Sequence, residues 1–172
     1  MVSSDLGRFP DLLAGLWSAD PLVRMRAADA AEKITRRHRE LLHPYKKELL
    51  GLMTETQQQE LRWHLAVMIP RLMLSAKKRQ VAIGSLNSYL EDRSSMVKTF
   101  ALQGLTDLAH NDPGIRPEVI ETLRAGCEEW YARDEGSQPQ VAISAGACLM
   151  VRVSVSSSWP IWNADRPPIE SL

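Results

Sequence analysis

Residues 20–34 read DPLVRMRAADAAEKI, an Asp-Pro pair followed by Val23-Arg24 and then by an alanine-rich run. Ser18 or Asp20 can cap the helix, and Pro21 suits the first helical turn because its missing N–H would find no partner there. Apolar and small residues then recur at helical spacing, which predicts that one face of this helix packs inward. The residues predicted to face inward are Val23, Ala27, Ala30, Ala31 and Ile34.

The same register recurs further along the chain. Val23-Arg24 is followed by Leu61-Arg62, Val97-Lys98 and Val141-Ala142, at intervals of 38, 36 and 44 residues. Intervals of this size lie near the ~40–47-residue period of two- and three-helix solenoid repeats. The sequence therefore predicts an all-α chain built from about four helical hairpins.

Each hairpin is predicted to contain a first helix, a tight turn and a second helix. The first helices are expected at residues 9–17, 45–53, 76–90 and 115–132, and later second helices at 57–72 and 96–109. Pro70 should kink its helix, because the proline ring clashes with the carbonyl four residues back. In the helix at residues 9–17, the predicted buried face consists of Phe9, Leu12, Leu13, Leu16 and Trp17.

The Asp-Pro, Val-Arg and Ala-x-x-Ala arrangement of residues 20–34 resembles the second half of a HEAT repeat. The resemblance extends over residues 9–150 and implies a right-handed α-solenoid with armadillo-type stacking. The implied repeats cover residues 9–43, 44–75, 76–113 and 114–150. HEAT-like proteins mostly act as protein-binding scaffolds that use a concave face lined by the second helices. A few relatives bind damaged DNA or act as lyases on bilin pigments.

Residues 151–172 depart from the repeat pattern, with alternating residues followed by Trp159-Pro160-Ile161-Trp162. A solenoid exposes an apolar face at each end unless another segment covers it. We therefore expect residues 151–172 to form an irregular tail that caps the last repeat. A disordered tail and a partner-binding segment are the alternatives.

The bulk composition favours a soluble protein without disulfides. The 172 residues include 21 Lys and Arg and 21 Asp and Glu, so the formal net charge is zero. No apolar run approaches the ~20 residues that span a bilayer, and residues 1–17 lack the features of a signal peptide. Cys127 and Cys148 are expected to be reduced thiols. We expect a cytoplasmic protein that is a monomer or a weak homodimer and does not enter membranes.

The charges are nevertheless unevenly distributed. Residues 24–47 contain eight Lys and Arg against three acids, and residues 107–135 contain three Arg against eight acids. A basic cluster of this kind can be a solvated helix end, or it can bind anions such as the phosphate backbone of nucleic acid. The candidate anion-binding residues are Arg36, Arg37, Arg39, Lys46 and Lys47.

Arg24, Arg62 and Lys98 recur at one position of successive second helices, and Trp63 and His64 follow directly after Arg62. The cations can align the stack by bonding acids or turn carbonyls of neighbouring repeats, since such repeats are held by nearest-neighbour contacts. Alternatively, the five residues can bind a partner on the concave face, where a tryptophan would be an effective anchor. These five are the candidate binding residues.

The sequence offers no candidate catalytic residue. It contains no metalloprotease, P-loop, nucleophile-elbow or dinucleotide-binding motif, and its four histidines show no metal-ligand spacing, so no cofactor or metal is expected. The leading hypothesis is a non-catalytic module that binds a protein partner along the concave face. Nucleic-acid binding through residues 36–47 and a lyase-type HEAT-repeat enzyme are the alternatives.

Overall fold

The computed structural model describes residues 6–133 of the chain, with side chains described as far as residue 125. This part is all-helical and contains no β-strand. Its α-helices are α1 (Phe9–Ala14), α2 (Pro21–Thr35), α3 (Lys46–Glu55), α4 (Gln59–Met68), α5 (Ala76–Leu90), α6 (Ser95–Asn111) and α7 (Arg116–Arg133). Short 3₁₀ segments lie at Leu6–Arg8, Gly15–Trp17, Arg39–Tyr45, Ile69–Arg71 and Pro113–Ile115.

Capping side chains begin helices α2 and α6, for which the sequence offers Ser18 or Asp20 and Ser94 or Ser95. Asp20 Oδ1 accepts a hydrogen bond from the backbone N–H of Leu22 at 2.8 Å, which fixes the start of α2. Ser94 Oγ accepts from the backbone N–H of Val97 at 3.4 Å at the start of α6. Each bond satisfies one of the donors that a helix leaves without an intrahelical partner, so Asp20 and Ser94 are the members of these two pairs that act as caps.

The helices pack in pairs, and the pairs contact one another in chain order. Helices α1 and α2, α3 and α4, and α5 and α6 contact each other as consecutive pairs. The second helices also contact in order, α2 with α4 and α4 with α6, while α3 contacts α5 and α6 contacts α7. One continuous core of buried apolar residues, from Phe9 to Leu123, runs between these helices. The apolar residues that recur along the sequence therefore form one core, which the first helices and the second helices share.

Two residues that were predicted to face inward are exposed. Trp17 is 46% exposed and Val23 is 43% exposed, so their predicted burial is wrong. Trp17 ends the 3₁₀ segment Gly15–Trp17, where the tighter helix turns its side chain away from the α1 stripe. Val23 belongs to the first hairpin, and no described hairpin precedes it, whereas α4 and α6 each pack against an earlier second helix. The equivalent residues Leu61 and Val97 are fully buried.

Pro70 ends a helix rather than kinking it. The sequence predicted one helix over residues 57–72, but α4 covers Gln59–Met68 and is followed by the 3₁₀ segment Ile69–Arg71. Proline lacks the N–H that an α-helical turn needs and crowds the preceding turn, so the regular hydrogen bonding stops before it. The Pro70 carbonyl instead accepts a hydrogen bond from Asn111 Nδ2 at 3.0 Å.

A buried tyrosine joins the first helices of two hairpins. The Tyr89 hydroxyl on α5 donates a 2.6 Å hydrogen bond to the Met53 carbonyl on α3, and Tyr89 is only 2% exposed. Burial raises the pKa of Tyr89, so the phenol remains a donor at neutral pH. The Met53 carbonyl lies near the end of α3, where the last carbonyls of a helix have no intrahelical N–H partner, and the Tyr89 hydroxyl supplies this missing donor.

We expect Tyr89→Phe to lower the free energy of unfolding by about 1–2 kcal/mol, because the Met53 carbonyl loses its donor while remaining buried. Urea denaturation followed by circular dichroism measures the change. Tyr45→Phe is the matched control, since Tyr45 is only partly buried and has no hydrogen bond of its hydroxyl among the described contacts. Equal losses in the two variants would contradict this role for the Tyr89 hydroxyl.

Several expectations fall outside the described residues. They concern the fourth position of the repeated register at Val141-Ala142, the tail at residues 151–172, and the side chains of Cys127 and Cys148. Among the described helices, none has the length and apolar composition needed to cross a bilayer.

Candidate functional site

Arg24 connects the turns of the first two hairpins. Its Nε donates to Gln58 Oε1 at 2.7 Å, and its Nη1 donates to the carbonyls of Ser18 at 2.8 Å and Ala19 at 3.1 Å. Gln58 Nε2 in turn donates to the Pro21 carbonyl at 2.9 Å. The guanidinium therefore holds its own turn and the following turn in register, which is the stacking role that the sequence offered as one of two alternatives.

Arg62 repeats this arrangement one hairpin later. Its Nε donates to the Thr56 carbonyl at 2.9 Å and its Nη2 to Gln57 Oε1 at 2.5 Å, both in its own turn. Its Nη1 donates to Asp92 Oδ2 in the next turn at 2.5 Å. The guanidinium also lies over the Tyr89 ring, with its central carbon 5.2 Å from the ring centroid. A planar group with several donors suits this multiple bonding better than an ammonium would.

Asp92 remains ionised in this arrangement. Burial raises the pKa of Asp92, but the backbone N–H of Ser94 and the Arg62 guanidinium together outweigh burial, so the net pKa is lowered. The Ser94 N–H donates to Asp92 Oδ1 at 2.8 Å while Arg62 occupies Oδ2. The Arg62–Asp92 pair is therefore a charged bond between hairpins with both carboxylate oxygens engaged.

Lys98 differs from Arg24 and Arg62 because its ammonium has no hydrogen bond or ion pair with the described residues. It lies on α6 and is half-buried. Within residues 6–133, Arg24 and Arg62 bond the turn of the following hairpin, whereas the Lys98 ammonium makes no bond between hairpins.

Trp63 and His64 form an aromatic cluster with Phe100 of the neighbouring second helix. The ring centroids of Trp63 and Phe100 are 5.9 Å apart at an interplanar angle of 85°, and those of Trp63 and His64 are 5.5 Å apart at 81°. These edge-to-face geometries are favourable for aromatic pairs. All three side chains are half-buried, so the cluster both joins α4 to α6 and reaches the surface.

The indole N–H of Trp63 has no acceptor among the described residues, although its nitrogen is buried. Buried donors are nearly always paired, because an unpaired one loses its bond to water without replacement. A small rearrangement or a ligand that brings a carbonyl or carboxylate oxygen to Trp63 would satisfy this donor. This feature could not be predicted from the sequence, since the pairing of the indole N–H depends on the neighbouring helix.

His64 is an uncharged ring at neutral pH. Burial lowers its pKa, and the cations Lys33 and Arg36 lower it further, while the acids Asp29 and Glu32 oppose the shift. Three of these charged residues belong to α2 and Arg36 directly follows it, so His64 faces the second helix of the preceding hairpin. A neutral imidazole at a helix interface can donate from one nitrogen and accept at the other.

A groove of about 360 Å³ lies between the turns of the first two hairpins. It contains Arg24 and the exposed Trp17, and its floor is the fully buried Leu61. The sequence reasoning missed it, because Trp17 was placed in the core. The full lining comprises Leu16, Trp17, Ser18, Arg24, Leu52, Glu55, Thr56, Gln57, Gln58 and Leu61.

The basic stretch at residues 36–47 is partly used in the fold. Arg36 donates to both carboxylate oxygens of Glu32, and Lys46 Nζ donates to the Met73 carbonyl at 2.8 Å. Arg37, Arg39 and Lys47 are exposed. Of the five candidate anion-binding residues, Arg36 and Lys46 therefore form side-chain bonds within the fold.

Glu32 is the centre of a buried ionic cluster that the sequence reasoning missed. Glu32 is 3% exposed and also accepts a hydrogen bond from Arg71 of the next hairpin. Arg71 Nη1 donates in addition to the Glu32 carbonyl at 2.8 Å and to Thr35 Oγ1 at 2.9 Å. The i,i+4 spacing of Glu32 and Arg36 was visible in the sequence, but Arg71 is 39 residues away from Glu32.

Within residues 6–133, no group of three or more His, Cys, Asp or Glu side chains is arranged to hold a metal ion.

Comparison with known proteins finds no relative of this chain. No protein-family model matches the chain, and no curated protein and no solved structure matches it either.

Proposed function

We propose that the chain is a HEAT-like helical-repeat scaffold that binds a protein partner on its second-helix surface. This surface is defined by Trp63 and His64 on α4 and by Lys98 and Phe100 on α6. The complete repeat domain would span residues 1–150 as a right-handed solenoid, with α2, α4 and α6 lining its concave side. The role proposed for the chain is non-catalytic.

The repeated turn bonds support the solenoid part of the proposal. Arg24 and Arg62 occupy the same register, and each bonds its own turn and the turn of the following hairpin. Equivalent bonds at equivalent positions are expected when one structural unit is stacked on the next. Ordered contacts of α2 with α4 and of α4 with α6 fit the same arrangement.

The aromatic cluster is the observation that carries the binding part of the proposal. Trp63 is half-buried, sits beside a neutral imidazole, and has an indole N–H without an acceptor. Aromatic side chains set in a packed surface are the residues that most often dominate binding energy at protein interfaces. Lys98, whose ammonium has no partner in the described residues, would add an attraction for an acidic group close by.

Arg24 and Arg62 take a supporting role in this proposal. Their guanidinium groups are already engaged by turn carbonyls, by glutamine side chains and by Asp92. A partner would gain little from donors that are occupied, whereas removal of either arginine would loosen the turns that hold the second helices in register. Direct contact is therefore assigned to Trp63, His64 and Lys98.

We expect Trp63→Ala to weaken partner binding at least about tenfold, because an aromatic anchor at an interface contributes more than 1 kcal/mol. Affinity capture from native lysate with the full chain, followed by titration of the identified protein, measures the effect. Trp17→Ala is the matched control, since Trp17 is 46% exposed at the turn groove and away from the aromatic cluster. Equal binding by wild type and Trp63→Ala would refute the proposal.

Salt dependence distinguishes this function from nucleic-acid binding. Phosphate contacts give a linear fall of log affinity with log salt, by about 0.9 for each phosphate neutralised on duplex DNA. Arg39 and Lys47 are exposed cations of the basic stretch, and replacing both by Ala removes charge without breaking a bond described in the fold. Under the nucleic-acid alternative, the double variant should not bind the ligand, and the wild type should bind it at low salt and release it at raised salt. Such a result would identify the ligand as nucleic acid instead of a protein.

A further inference from the structure

Helix α4 packs on α2, and helix α6 packs on α4, each through one face. Helix α2 has a face at the equivalent positions. It consists of Val23, Arg26 and Ala30, at positions i, i+3 and i+7 of the helix, and is called here the end face. Residues at this spacing share one side of an α-helix. The equivalent positions are Leu61, His64 and Met68 on α4, and Val97, Phe100 and Gly104 on α6.

These equivalent positions are covered in the later hairpins. Leu61, Met68 and Val97 are fully buried. Helix α4 packs against α2, and helix α6 packs against α4. Contact with the preceding second helix therefore accompanies the burial of these positions in both later hairpins.

Individual contacts show how a preceding helix covers this face. The Phe100 ring packs edge-to-face on Trp63 of α4, with centroids 5.9 Å apart. Gly104 lies so close to α4 that an added Cβ would be 3.3 Å from the Ala66 carbonyl carbon. The face therefore accepts an α-helix at close range, with a side chain of that helix opposite the middle position.

The end face of α2 lacks such a cover within residues 6–133. Val23 is 43% exposed, whereas Leu61 and Val97 are 0% exposed at the same register. Arg26 is exposed and has no hydrogen bond or ion pair with the described residues. Ala30 is half-buried, and its small side chain leaves room for another helix.

Charge decides which helix would fit. The middle position is the cation Arg26, where the later hairpins have His64 and the apolar Phe100. Lys33 follows two turns further on and pairs with Asp29 at 2.8 Å. A helix docked as α2 is docked on α4 would bring a side chain opposite Arg26, and a carboxylate there avoids an unpaired buried cation.

We infer that the end face binds an amphipathic α-helix of a partner protein that places an Asp or Glu opposite Arg26. The helix takes the position that α2 has on α4 and that α4 has on α6. Its apolar stripe covers Val23 and Ala30, and its carboxylate pairs with the guanidinium. This site is separate from the second-helix surface of the proposed function and does not depend on it.

The test uses the full-length chain and a displayed library of amphipathic helices whose charged positions are randomised. We expect selected helices to carry Asp or Glu next to the apolar stripe and to lose at least about tenfold in affinity with Val23→Glu. Val81→Glu is the matched control, because Val81 on α5 is also 43% exposed. Selection against Arg26→Glu should reverse the preference, so that the selected helices carry Lys or Arg. Because Arg26 is exposed, this variant keeps the fold even if Val23→Glu does not.

Three outcomes would overturn the inference. Selected helices could bind Val23→Glu and Val81→Glu equally well, which would place them elsewhere on the chain. Their charge preference could stay the same with Arg26→Glu, which would remove the guanidinium from recognition. Light scattering could show a wild-type dimer that Val23→Glu converts to monomer, which would assign the end face to a second copy of this chain.

Discussion

Replacing Glu32 by Ala should lower the free energy of unfolding by about 3–5 kcal/mol, the usual cost of removing one partner from a buried ion cluster. Glu32 pairs with Arg36, directly after the end of its own helix, and with Arg71 of the next hairpin, and the Glu32 side chain is 4% exposed. Without the carboxylate, the partly buried Arg71 keeps only the bonds to the Glu32 carbonyl and Thr35. Chemical denaturation followed by circular dichroism measures the loss.

Asp29→Ala provides the control for this prediction. Asp29 lies on the same helix and also pairs at i,i+4, with Lys33 at 2.8 Å, but the two side chains are 47% and 62% exposed. Exposed pairs of this kind contribute about 0.3–0.5 kcal/mol. If Asp29→Ala and Glu32→Ala destabilise the protein equally, the cluster around Glu32 has no special role in joining the hairpins.

The same cluster makes stability depend on pH. Burial raises the pKa of Glu32, but hydrogen bonds from Arg36 and Arg71 outweigh burial and leave the net pKa lowered. A lowered folded-state pKa means that the unfolded chain takes up the proton first as the pH falls. The stabilisation is complete above the ordinary glutamate pKa of about 4.3 and is lost as the pH falls below it, towards the folded-state pKa.

Asp92 has a lowered pKa as well and contributes in the same direction. Glu32→Gln should therefore reduce the fall in stability below about pH 5 without abolishing it, as a pH series of melting curves would reveal.

Replacing Gly104 by Ala should destabilise the protein by about 1–3 kcal/mol, because the added methyl overpacks the contact between α4 and α6. The new Cβ would overlap the Ala66 carbonyl oxygen and lie 3.1 Å from Leu86 Cδ2. Backbone atoms of a packed helix cannot move aside as a flexible side chain can, so the two helices must separate. The gain in helix propensity, about 1 kcal/mol, offsets part of this loss.

Gly84→Ala is the control for Gly104→Ala and should have the opposite sign. Gly84 lies within α5, is exposed, and has no atom within 4 Å of an added Cβ. The substitution should raise stability by about 0.4–1 kcal/mol through the lower entropy of the unfolded chain. Thermal unfolding of both variants decides the matter, and a stabilised Gly104→Ala would show that α4 and α6 are not in close contact.

Close contact of α4 and α6 also matters for the proposed function. Gly104 brings the two helices together, and the Trp63 and Phe100 rings meet across the same interface. The position of the aromatic cluster therefore depends on a residue without a side chain one turn from Phe100. Gly104→Ala should weaken partner binding through Trp63 as well as stability, even though Gly104 would not touch the partner.

The sequence by itself determined the local elements of this protein. Periodic apolar residues located the described helices, and capping residues such as Asp20 and Ser94 fixed where helices begin. Both signals act over a few neighbouring residues, so they can be read along the chain. The equal register of Arg24 and Arg62 was also visible, since it needs only a count of residues between hairpins.

Only the tertiary structure decided which of these residues are used in the fold. Arg24 and Arg62 bond the turns, while Trp63 meets Phe100 and Glu32 meets Arg71. Each of these contacts joins residues of different hairpins, 30 or more positions apart in most cases. The predicted burial of Val23 was wrong for a related reason. The exposure of a side chain depends on which elements pack against its helix, and the periodicity of the helix sequence does not show this.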